Sequence, residues 1–141
     1  MAIVQGICNS YKRELLVGNI HIPAAQTWRL ALYTAAANLS PQYTTAYTSA
    51  GEASGIGYSA GGKAISPKPT PVLAGDTAYL SFPNVIWTNV TISVRGALLF
   101  NGSGNRAIAV IDFGSTITLT NKTLTVQMPG NTAGTALIRI T

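Results

Sequence analysis

Apolar residues occupy every second position between residues 92 and 100, beginning with Ile92 and Val94, and small or polar residues fill most of the positions between them. This alternation is typical of a β-strand with one face in a core. The Gly- and Asn-rich residues 101–105 then predict a hairpin loop, and residues 106–113 predict an apolar return strand. Similar runs, separated by Gly, Pro or Asn, predict about eight or nine short strands in an all-β sandwich or barrel.

The same signals predict further strands and turns. Trp28, Leu30 and Leu32 alternate with other residues and predict a strand with one dry face. Turns are predicted at Gly75-Asp76 and, between two separate strands, at Asn121-Lys122. We expect the core to contain Trp28, Leu30, Leu32, Leu80, Phe82, Ile92, Val94, Leu98, Phe100, Val110 and Val126.

Residues 35–68 form a long stretch that is rich in Ala, Ser, Thr, Gly and Tyr. The strand-prone residues 43–48 predict one exposed strand, and the Gly-rich residues that follow predict an extended contact loop. Large apolar residues are scarce in residues 51–62, so we expect a partner to order this loop.

The N-terminal region carries the one helix that the sequence predicts. This helix covers Asn9–Val17, with Asn9 or Ser10 as its cap and Gly18 at its end. We therefore divide the chain into an N-terminal arm with a short helix, residues 1–18, and a single β-sandwich domain, residues 19–141. The apolar residues of the arm exceed what one short helix can bury, which predicts contact with a second copy or another partner.

Charge is scarce, because the chain has nine basic and four acidic residues. The basic residues are scattered, whereas nucleic-acid-binding proteins usually cluster them among aromatic residues. No apolar run approaches the roughly 20 residues of a membrane helix. The composition therefore favours a structural or binding protein whose Thr-, Ser- and Ala-rich surface packs against other protein.

The residues that could support catalysis are few and dispersed. His21 has no neighbouring ligands for a metal, and Cys8 has no partner for a disulfide, so we expect Cys8 to be a small buried apolar residue. The glycines around Gly57 lack the dinucleotide-binding spacing. Asp112, in an apolar strand, needs a partner such as Arg95 or Arg106, or else an interface contact. We predict no enzyme activity, cofactor or metal.

Three stretches together resemble a family of small virion proteins of tailed bacteriophages, the capsid cement or decoration proteins, with the nearest likeness among short-tailed phages of Bordetella. They are residues 28–34 followed by 44–48, residues 54–63, and residues 95–101 followed by 105–114. The resemblance covers most of the chain, and its specificity lies in the joint occurrence of these stretches. It implies a jelly-roll-like antiparallel β-sandwich, here with a short N-terminal helix.

The resemblance also implies a function. Such proteins sit on the outer surface of an icosahedral capsid, associate as dimers and clamp neighbouring major capsid proteins, which implies a virion protein made in the bacterial host cytoplasm. It brings no catalytic residues, cofactors, nucleic acid or membrane. An alternative is a carbohydrate- or host-surface-binding jelly-roll module of the virion, with exposed Tyr43, Tyr47 and Tyr58 stacking on sugars. The residues predicted to contact a partner are Ile3, Val4, Ile7, Tyr43, Tyr47, Tyr58, Lys63 and Lys68.

Overall fold

The computed structural model describes residues 2–18, 27–66, 71–102 and 104–141. The predicted all-β class is confirmed, because two antiparallel sheets form a sandwich-like arrangement with one short helix. The predictions for His21 and Lys68 lie outside the described residues. The elements are β1 Gly6–Ile7, α1 Asn9–Val17, β2 Trp28–Tyr33, β3 Lys63–Ala64, β4 Val72–Ala74, β5 Thr77–Leu80, β6 Val85–Asn101, β7 Arg106–Val126 and β8 Ile138–Ile140.

The larger sheet has the strand order β1-β7-β6-β2-β3, and the smaller one has the order β4-β5-β8. The turn predicted at Gly75-Asp76 is confirmed, because β4 and β5 pair on either side of these residues. The predicted core is confirmed as well, since all eleven residues named for it are buried. Within that core the Trp28 ring of β2 lies 5.7 Å from the ring of Phe82, which follows the end of β5.

The longest elements, β6 and β7, form one hairpin that is paired from Asn101–Arg106 to Val85–Val126. The turn predicted at Asn121-Lys122 is wrong, because β7 continues through these residues. Asn121 instead adopts a φ of 51°, close to register shifts in the pairing with β6. Asn tolerates left-handed backbone, so a residue type that favours turns here produces an irregularity inside a strand.

Strand β2 is covered on both faces, which corrects the prediction of a single dry face. Ala31 and Tyr33 are as fully buried as Leu30 and Leu32. The second face lies under residues 35–62, because the Tyr33 hydroxyl donates to the Thr48 carbonyl at 2.6 Å. The exposed strand predicted over residues 43–48 is also wrong, since only an isolated bridge at Ala46 forms there.

The N-terminal residues are joined to the rest of the chain by backbone pairing. Strand β1 pairs with β7 through Gly6–Val110 and Ile7–Ala109. The predicted helix is confirmed over Asn9–Val17, and Gly18 ends it with a φ of 84°. Its expected cap is wrong, because Cys8 occupies the N-cap position without a side-chain hydrogen bond. Cys8 is buried, as predicted, and this burial raises the pKa of its thiol to about 11.

Candidate protein-contact surface

The predicted contact loop, residues 51–62, is held in place by the carboxylate of Glu52. The hydroxyls of Tyr47 and Tyr58 each donate to it at 2.6 Å, and the backbone N–H of Gly61 donates at 2.7 Å. Three donors thus satisfy one carboxylate, and hydrogen bonds to an ionised acceptor are the stronger kind. The expectation that Tyr47 and Tyr58 stand exposed is wrong, because both are half-buried and directed at Glu52.

The same loop is also fastened to β2. The Tyr58 hydroxyl accepts a hydrogen bond from the Leu32 N–H at 2.9 Å. The Arg29 guanidinium donates to the carbonyls of Gly61 at 3.1 Å and Gly62 at 2.8 Å. The loop therefore has anchors within its own chain, contrary to the expectation that a partner orders it.

The other residues predicted to contact a partner are scattered over the molecule. Ile7 belongs to β1 and Lys63 to β3, and these strands form opposite edges of the larger sheet. Ile3 is buried, whereas Val4 and Tyr43 are exposed. The Lys63 Nζ lies 5.8 Å from the centre of the Trp87 ring and also donates to the Ile86 carbonyl. The members of the predicted set that the structure describes therefore do not form one surface.

Asp112 has the partner that one of the sequence hypotheses named. The Arg95 Nε donates to the Asp112 carboxylate at 2.9 Å, and the Gly114 N–H donates to it at the same distance. These bonds hold the pKa of the Asp112 carboxyl below its ordinary value. The ion pair explains the carboxylate without an interface contact.

An exposed apolar surface that the sequence did not predict lies on the smaller sheet. Leu73 of β4 pairs with Ala78 of β5, which in turn pairs with Ile140 of β8. These three residues form a row across the sheet, which we call the apolar row. Alternate residues share one face of a strand, so the row faces the same way as the buried Leu80 and Ile138.

The apolar row itself is uncovered. Leu73 is 73% exposed and Ile140 is 58% exposed, whereas Leu80 and Ile138 are only 4% and 8% exposed. One face of this sheet is therefore buried at Leu80 and Ile138 but open to solvent at Leu73 and Ile140. Contiguous exposed apolar surface of this kind usually marks a contact with another molecule.

Helix α1 continues this surface. Tyr11 and Leu15 line a cavity of about 120 Å³ together with residues of β5 and β8, including Ile140. The next two helix residues, Leu16 and Val17, are 92% and 57% exposed. The apolar row and the end of α1 together form what we call the apolar end.

Nowhere in the described residues do three His, Cys, Asp or Glu side chains come together as metal ligands. The described part of the chain also has no helix long and apolar enough to cross a bilayer. A comparison with known proteins finds no matching protein family, no similar characterised protein and no similar solved structure.

Proposed function

We propose that this chain is a structural virion protein that binds the outside of an icosahedral phage capsid and cements neighbouring major capsid proteins. The resemblance to capsid cement proteins supports this role, and it lies in residues 28–34 with 44–48, residues 54–63, and residues 95–101 with 105–114. The structural observation that carries it is the apolar row, where Leu73 and Ile140 lie uncovered on an otherwise core-facing side. The partners are the major capsid protein and a second copy of this chain, on the outer surface of the virion.

The apolar end suits a protein that must stay attached to a shell. Burial of apolar surface contributes roughly 25 cal/mol per Å² before ordering costs are subtracted. Exposed ion pairs contribute only about 0–1 kcal/mol each, and this chain has few charges with which to form them. Attachment through the apolar end therefore supplies more binding free energy than the scattered lysines and arginines.

The test is to add the purified protein to capsid shells that lack it and to count the copies retained after sedimentation. Leu73→Asp should abolish most of the binding. Ile56→Asp is the matched control, because Ile56 has the same 73% exposure but lies in the loop of residues 51–62. Full retention of the Leu73 variant would show that the contact with the shell lies elsewhere on the protein. Failure of the wild-type chain to bind any shell would contradict the proposed function itself.

The alternative, a sugar-binding module, receives less support from the structure. Stacking on a sugar needs exposed aromatic faces, and of the three tyrosines proposed for it only Tyr43 is exposed. The hydroxyls of Tyr47 and Tyr58 already donate hydrogen bonds to the Glu52 carboxylate. Binding of host glycans to the isolated protein, abolished by Tyr43→Ala, would favour this alternative over the capsid role.

A further inference from the structure

A groove runs along the outer edge of β8, and we call it the β8 groove. Its main cavity has a volume of about 350 Å³ and extends from α1 to the end of the smaller sheet. On one side lie residues of β1 and α1, and on the other the consecutive residues Ile138, Arg139, Ile140 and Thr141. Consecutive strand residues point to opposite faces, so a cavity lined by all of them lies beside the strand and not above it.

The groove continues beyond this cavity. A second cavity of about 310 Å³ shares Ile7 with the first and extends to Leu137, the residue before β8. The open space therefore follows the whole length of the strand. An extended polypeptide matches this shape, because it rises about 3.3 Å per residue and needs a long, narrow site.

The backbone of β8 is available on this side. In the described residues β8 pairs with β5 and with no other strand, so it forms the outer edge of its sheet. The N–H and C=O groups on an outer edge are a template for one more strand. Peptide recognition by strand addition uses such an edge for affinity and the neighbouring side-chain pockets for specificity.

The charged side chains that line the main cavity of the groove are both basic. Lys12 stands on the helix side and Arg139 on the β8 side, and the cavity has no Asp or Glu side chain. Lys12 donates to Asn9 at 3.2 Å, and Arg139 donates to the Gly134 carbonyl at 2.7 Å. Neither forms an ion pair with a carboxylate among the described residues.

We propose that the β8 groove receives an extended segment of the capsid shell, which adds a strand to the free edge of β8. Apolar side chains of this segment contact Leu15 and Ile140, and a carboxylate lies between Lys12 and Arg139. The identity of the partner rests on the proposed function, whereas its extended, apolar and acidic character follows from the edge, the walls and the charges of the groove.

Hydrogen exchange of the protein, free and bound to capsid shells, tests the strand addition. Binding should slow exchange of the amides among residues 138–141 that point to the outer edge by about tenfold or more, because an added strand hydrogen-bonds these groups, whereas the alternate amides already face β5. The amides of β3, Lys63–Ala64, form the outer edge of the other sheet and serve as the control that should not change. Shell binding without protection of β8 would overturn this inference and leave the proposed function intact. Absence of shell binding would overturn the proposed function and, with it, this partner.

Charge reversal tests the acidic character of the segment. Lys12→Glu and Arg139→Glu should each weaken shell binding by about tenfold or more, because each places like charges together in a partly enclosed groove. Lys122→Glu, an exposed cation on β7, is the matched control and should bind like the wild type. Arg139→Lys should retain binding because it keeps the charge. Wild-type affinity of both groove variants would overturn the acidic assignment.

Discussion

The carboxylate of Glu52 and the hydroxyl of Tyr58 lie 2.6 Å apart, and that hydroxyl also accepts the backbone N–H of Leu32 at 2.9 Å. The Tyr58 side chain thus links the buried strand β2 to Glu52 of its own loop. Tyr47 completes the arrangement from the other oxygen of the carboxylate. Residues 51–62 are therefore held by hydrogen bonds to the Glu52 carboxylate as well as by those that the Arg29 guanidinium donates to Gly61 and Gly62.

Replacement of Glu52 should loosen this loop. In Glu52→Gln one carboxylate oxygen becomes an NH₂ donor that faces other donors, so the free energy of unfolding should fall by about 1–3 kcal/mol. Urea denaturation measures the loss, and faster exchange of the Gly61 amide locates it. Asp76→Asn makes the same charge change in an exposed turn and should stay within about 0.5 kcal/mol of the wild type. Equal effects of the two substitutions would contradict the role of Glu52.

The free energy of unfolding should fall at alkaline pH, because several tyrosines ionise more readily in the unfolded chain than in the folded one. Burial raises the pKa of Tyr11 and Tyr47 to about 12, and for Tyr47 the hydrogen bond to Glu52 adds to the rise. Burial also raises the pKa of Tyr33 and Tyr58 well above the ordinary value near 10. A folded-state pKa above the unfolded one gives stability that is fully present below about pH 10 and is lost as the pH rises through the folded-state value.

Urea denaturation at pH 8, 10 and 11 tests this pH dependence. The free energy of unfolding should already fall between pH 8 and pH 10, because the Cys8 thiol and the tyrosines begin to ionise there in the unfolded chain, and it should fall further by pH 11. Tyr58→Phe should reduce the pH-dependent part of the loss, because it removes one titrating hydroxyl. A constant free energy of unfolding up to pH 11 would contradict the prediction.

Phe100 should be among the most sensitive core positions. Its side chain is buried, and its ring stacks on that of Tyr47 at 4.9 Å between ring centres. Phe100→Ala should cost roughly 3–5 kcal/mol of unfolding free energy. Tyr43→Ala removes a ring that is 78% exposed and should cost far less. A loss below about 1 kcal/mol for Phe100→Ala would show that the ring contributes little packing.

Attachment to the shell should withstand salt. Salt weakens ion pairs between exposed groups and leaves apolar burial almost unchanged. Particles washed in NaCl up to about 1 M should therefore keep their copies, whereas guanidinium should release them. Near-complete release by about 0.5 M NaCl would indicate that charge, through residues such as Arg29 and Lys63, holds the protein in place.

The local sequence pattern predicted much of this fold, because the strands follow from the alternation of apolar residues and the tight turns follow from residues that favour turns. The period-two runs in β2 and β6 place side chains such as Leu30 and Val94 in the core, and Gly75-Asp76 forms a turn as expected. Asn121 shows the limit of this reasoning, because left-handed backbone suits a turn and a strand irregularity equally well. The choice between them depends on the pairing with β6.

The contact surfaces were less predictable, because they depend on which layer covers which strand. Leu73 lies in a short apolar strand that resembles a core segment, and only its exposure in the folded chain shows that it lies outside the core. Tyr47 and Tyr58 looked available for contacts, since a loop has no periodicity to show that both reach Glu52. Such long-range contacts leave no signal in the local sequence.

The pairing of β1 with β7 has a consequence for how the chain reaches its native state. Gly6 and Ile7 find their partners at Val110 and Ala109, across most of the chain. Closure of so long a loop is entropically costly, and sheets built on distant pairings form slowly. During synthesis the first strand must wait until residues near Val110 have emerged from the ribosome. Until then the nascent chain has an unpaired strand edge that is prone to aggregation, so a chaperone should protect the chain most at this stage.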